Sequence, residues 1–214
     1  MKWGPAVALF GIAIAWTIML LFGGLDLDRA LLTILYAGDR PDYAAAARIV
    51  TELGGWRVLV PLTAAGALWL LLARRFRDAA LLLLITLGGR ALVELQKEQM
   101  GRLRPEDQEH LVAVQSFAFP SAHAANMTMV GLSLALLLVR TFPQRAVALW
   151  CAVWLALIVG TSRVVLGVHW PSDVIAGWAF GLFWTLLLLG LAGIDLTDGT
   201  PRRLRHSSPE GETR

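Results

Sequence analysis

The chain has 214 residues, 57% of them hydrophobic, a formal net charge of +3 and one cysteine, with mean hydropathy +0.61 and a pI near 9.6. A soluble domain of this length could not hide so much apolar surface, and a single cysteine excludes a disulfide framework. The basic residues are dispersed at the ends of apolar segments, which fits membrane orientation and argues against nucleic acid as a partner.

Crossing about 30 Å of hydrocarbon takes roughly 17 to 25 apolar residues. Pro5–Phe22 is the first such run. Lys2 before it suggests a signal peptide, but the run is long for one and lacks a small-x-small cleavage site, so an uncleaved span is expected. Leu25–Gly55 is too polar to span. Leu27, Ala30, Leu31, Ile34 and Leu35 recur at helical spacing, as do residues from Ala44 to Leu53 after Pro41, predicting short interfacial helices. These either roof the bundle or help admit a lipid.

Further spans are expected at Arg57–Ala73, Ala79–Leu95, Ser121–Val139, Ala146–Thr161 and Val174–Ile194. Within the third span, Arg90 and Glu94 stand four residues apart, where ionisable groups are costly. They read first as an internal ion pair and alternatively as the floor of a site. Cys151 lies in an apolar run and reads as packing. Trp3, Trp56, Trp150 and Trp170 fall near helix ends, as an aromatic belt would. The expected fold is therefore all-α: a polytopic membrane domain over 1–195 with six transmembrane helices, and a polar, disordered tail over 196–214.

Lys2, Arg74, Arg75, Arg77, Arg140, Arg145, Arg202, Arg203 and Arg205 would all lie on one side, which should be the cytoplasm. Both termini are then cytoplasmic. The loops after the third and fifth spans share the outer face, and both carry groups suited to phosphate chemistry.

The first of those stretches runs from Lys97 to Pro105, the second is Pro120-Ser121-Ala122-His123, and the third runs from Ser162 to Asp173. Phosphoryl transfer needs positive charge on the oxygens, an aligned nucleophile and a proton for the leaving group. Lys97, Arg104 and Arg163 supply fixed charge, although each alone could be a snorkelling surface cation. His169 can attack phosphorus as a neutral imidazole if its other nitrogen is held by Asp173, which also suits the N-terminus of the last helix. His123 can protonate the leaving oxygen. Pro120-Ser121 would open a helix and aim free N–H groups and the Ser121 hydroxyl at phosphate, or serve as a plain N-cap. Arg102 is open between a phosphate contact and a solvated loop.

Together these stretches resemble the type-2 phosphatidic acid phosphatase superfamily. Its pattern is a Lys separated by six residues from Arg-Pro, then Pro-Ser-Gly-His, then Ser-Arg with five residues before a His and three more before an Asp. Lys97, Arg104 and Pro105 match the first part, Pro120, Ser121 and His123 the second, and Ser162, Arg163, His169 and Asp173 the third. Ala122 stands where the family usually has Gly; its N–H, the family's phosphate contact, is retained. The resemblance implies a lipid phosphatase that needs no metal or cofactor, with His169 as nucleophile, Asp173 as its partner and His123 as acid. Its substrate would be a lipid phosphate or diphosphate at the outer face of a bacterial inner membrane, undecaprenyl diphosphate first. Phosphatidylglycerophosphate, phosphatidic acid and lipid A 1-phosphate are the alternatives. A lipid phosphotransferase of the same superfamily, or a protein that only binds anionic headgroups, are the other readings.

Overall fold

A computed structural model describes residues 4–23 and 25–194. The polar tail and the terminal cations Lys2, Arg202, Arg203 and Arg205 lie outside the described residues. Regular structure is helical: α1 (Gly4–Phe22), α2 (Asp26–Leu35), α3 (Pro41–Glu52), α4 (Trp56–Leu72), α5 (Phe76–Leu83), a π-helical turn (Leu84–Gly88), α6 (Gly89–Met100), α7 (Ala122–Leu138), α8 (Phe142–Val165) and α9 (Pro171–Leu191).

Every expected apolar run falls on helix. Three stretches are long and apolar enough to cross a membrane: Pro41–Leu72, where α3 leads into α4, Pro143–Val165 and Pro171–Leu191. A fourth arises if α1 and α2, bent by 90° at their junction, count as one. The α5–α6 segment is interrupted by its π turn, and α7 has only 17 residues.

The bundle is organised around α7, which packs along α8 and α9, while α1 lies against α9. An apolar helix with no polar face belongs in a centre, and α7 is buried from Ala124 to Leu137 on most of its surface. Thr128 Oγ1 turns to the helix's own backbone and donates to the Ala124 carbonyl at 2.8 Å. Gly177 allows α9 to touch α7 backbone to backbone, since a Cβ there would lie 2.6 Å from the Ser121 carbonyl oxygen. This contact brings the start of α7 beside the start of α9.

Two expectations change here. Trp170 is not in a belt: it is buried, and its Nε1 donates to the Leu103 carbonyl at 3.2 Å. Cys151 is exposed on α8 and is not part of the buried core.

Candidate active site

The three stretches meet at one cavity of about 350 Å³. Lys97 comes from the last turn of α6 and Arg104 from the loop beyond. Ala122 and His123 open α7, Arg163 ends α8, and His169 lies in the turn before α9; all line the cavity. Gly167 makes that turn possible. Its φ of +72° is left-handed, and a Cβ would sit 2.9 Å from the Glu109 carbonyl oxygen, so only glycine folds Arg163 and His169 towards one space.

His169 is 1% exposed. Its Nε2 lies 3.2 Å from a terminal nitrogen of Arg104. A guanidinium can only donate, so Nε2 accepts and the neutral ring carries its proton on Nδ1. Nδ1 is 3.4 Å from Oδ2 of Asp173 and has no hydrogen-bond partner. Burial, and then the charges of Arg104, Arg163 and Lys97, hold the imidazole well below the ordinary histidine value.

That shift has a sign that can be tested. A histidine nucleophile must be neutral, so with His169 in that role the rate should persist as pH falls through about 6.5 and decline only below it. kcat/KM measured from about pH 4 to 9 checks this; an acid limb centred at or above the ordinary histidine value would contradict it.

Asp173 is fully buried. Oδ2 accepts the Trp170 N–H at 2.9 Å, and Oδ1 pairs with Arg102 at 2.8 Å. Arg102 is therefore neither solvated nor aimed at phosphate. It also donates to the carbonyls of Met19 and Leu20 in α1, and its guanidinium carbon lies 4.3 Å from the Phe119 ring centroid. Next to it, the N–H and hydroxyl of Ser172 both donate to the Asp28 carboxylate from α2. The only sequence signal for Asp28 is a carboxylate among apolar neighbours.

Carbonyl and hydroxyl oxygens fix the cation heads. Lys97 Nζ donates to Ser116 Oγ at 2.8 Å and to the Phe117 carbonyl at 3.1 Å. Arg104 donates to the carbonyls of Ser116, Phe117 and Val168. Arg163 donates to Thr51 Oγ1 at 3.0 Å, and its buried Nε has no partner. Charges held in place before substrate arrives are what phosphoryl transfer uses.

Ser121 departs from expectation. Its N–H is not free but donates to the Asp173 carbonyl at 2.9 Å, and its buried hydroxyl has no partner and is not at the cavity wall. It joins α7 to α9; the unpaired donors of this helix start begin at Ala122. Ala122 needs no glycine-like backbone, since Arg74 is the one non-glycine at positive φ among the described residues. Arg90 and Glu94 do not pair with each other; both line the cavity, as do Glu52, Trp56 and Arg57, which the motifs did not mark.

Apolar helices that gather fixed cations and two histidines at one cavity, with a buried aspartate behind one of the histidines, define a membrane protein equipped to handle phosphate. Residues 78–193 match the PAP2 superfamily, and the chain belongs to that superfamily, whose members here are phosphatases acting on phosphate esters. Phosphatidylglycerophosphatase B of Bacillus subtilis is 35% identical over 145 residues, covering 66% of this chain and 71% of the relative. Lipid A 1-phosphatase of Rhizobium johnstonii is 41% identical over 107 residues, covering 45% of this chain and 40% of that relative. A crystal structure of a transmembrane PAP2 type phosphatidylglycerolphosphate phosphatase from Bacillus subtilis matches with TM-score 0.76 and 28% identity, over 88% of this chain and 96% of that one.

Proposed function

We propose that this protein releases phosphate from a lipid phosphate or diphosphate through a phosphohistidine. The observation that carries the reading is the placement of His169 Nε2 at the cavity wall against Arg104, with Asp173 at the opposite ring nitrogen. Nε2 attacks phosphorus while Lys97, Arg104, Arg163 and the Ala122 N–H take the nonbridging oxygens. The bond to the leaving oxygen breaks and His123 gives that oxygen its proton. His123 then takes a proton from water, whose oxygen attacks the phosphohistidine and frees phosphate and His169. The chemistry is assigned to these side chains without metal or cofactor.

Six spans, α1, α4, α5–α6, α7, α8 and α9, with α2 and α3 at the interface, fit this reading. Arg74, Arg75 and Arg77 follow α4 and Arg140 precedes α8, at helix ends away from the cavity, which supports a cavity open to the outer face of a bacterial inner membrane and cytoplasmic termini. Undecaprenyl diphosphate is the first substrate to test. Phosphatidylglycerophosphate and lipid A follow, being the lipids in the names of the two relatives, and phosphatidic acid completes the set.

The test is phosphate release by detergent-purified protein in excess EDTA, with the four lipids side by side. Release unaffected by EDTA is expected, and the fastest lipid identifies the substrate. Release that EDTA abolishes would overturn the metal-free mechanism. Transfer to an acceptor lipid without free phosphate would make the protein a transferase.

A further inference from the structure

The cavity holds more positive charge than one phosphate requires. Lys97, Arg104 and Arg163 surround the His169 end, yet Arg90 also lines it. Arg90 lies seven residues before Lys97, about 10 Å further along the helix, and has no ion pair or hydrogen bond among the described residues. The π turn ends just before it; beyond that turn Arg90, Glu94 and Lys97, spaced by four and three, share one helix face. Neither carboxylate on the wall, Glu52 or Glu94, makes an ion pair with Arg90.

A second cavity, of about 150 Å³, is apolar and lined by Leu59, Val60, Leu83, Leu87 and Val130. It shares Trp56, Arg90 and Asn126 with the polar one. His123, the group proposed to protonate the leaving oxygen, lines the polar cavity with Arg90. Arg90 therefore stands where the polar cavity of His169 and His123 meets hydrocarbon-lined space.

We propose that Arg90 binds a second phosphate retained by the leaving group, so that the preferred substrates are lipids with a terminal scissile phosphate and an inner, anionic one. This rests on the phosphatase reading above. The inner group can be the first phosphate of a lipid diphosphate or the phosphodiester of a glycerophospholipid; both offer the same anion to a guanidinium.

The experiment compares kcat/KM of the full-length protein on undecaprenyl diphosphate, phosphatidylglycerophosphate and phosphatidic acid, for the wild type, Arg90→Gln and Arg90→Lys. The wild type should favour at least one two-phosphate lipid over phosphatidic acid. Arg90→Gln should shrink that ratio by about 10- to 100-fold, the effect of one charged hydrogen bond, and Arg90→Lys should restore part of it. The lipid whose ratio collapses identifies the source of the inner phosphate. Ratios that stay the same in Arg90→Gln, whether or not the rates fall together, overturn the assignment of Arg90 and leave the phosphatase intact. Hydrolysis of none of the three lipids by the wild type, nor of lipid A, overturns the phosphatase reading itself.

Discussion

His169→Gln should lower phosphate release by about 10⁴-fold or more, the scale seen when a member of a catalytic triad is removed. Glutamine fills similar space, and its amide oxygen can still accept from Arg104, so the cavity should keep its shape. A carboxamide nitrogen has no available lone pair, and no phosphorylated intermediate can form on it. Release and the thermal midpoint in detergent, measured on the same preparation, separate chemistry from folding. A variant that folds and still releases phosphate would place the nucleophile elsewhere. A protein that merely binds headgroups would retain lipid binding in this variant and show no release in either form.

The second large effect should appear in stability. Arg102→Met leaves Asp173 buried with neither its 2.8 Å cation nor a route to water, and breaking a buried pair from one side costs about 3–5 kcal/mol. The carbonyls of Met19 and Leu20 lose a donor as well. The thermal midpoint should drop well below that of the wild type. Adding Asp173→Asn should recover much of it, because the stranded charge is gone, while release should stay low for want of a carboxylate at Nδ1. An unchanged midpoint in Arg102→Met would show that Asp173 draws its stabilisation from other donors.

The readable parts of this molecule were those written in local spacing. Helices followed from apolar runs, and Arg163, His169 and Asp173 are close enough in sequence for one turn and one helix start to present them together. Contacts made by helix packing were not readable. Ser121 looked like a donor for phosphate, but the approach of α9 to α7 at Gly177 takes its N–H for the Asp173 carbonyl. Arg102 was ambiguous because its partner lies 71 residues away, and Trp170 resembled an interfacial anchor although its indole is buried under the loop at Leu103. Arg90 and Glu94 suggested a pair by their spacing, but a spacing cannot show the cavity they face. Length and hydropathy fall short of counting spans here, because the charges and π turn of α5–α6 and the brevity of α7 keep both below what a free-standing helix needs.

Asp173 is gripped by groups from opposite ends of the chain: carbonyls of α1 through Arg102, and Asp28 of α2 through Ser172. A ribosome delivers these in order, α1 and α2 first and α9 last. A nascent chain halted after α8 would hold His123 and the phosphate-facing cations without His169 or its carboxylate. Under the proposed mechanism, translation of the His169 turn and α9 is thus the step that arms the protein, and a truncated product stranded in the membrane would leave the lipids around it untouched.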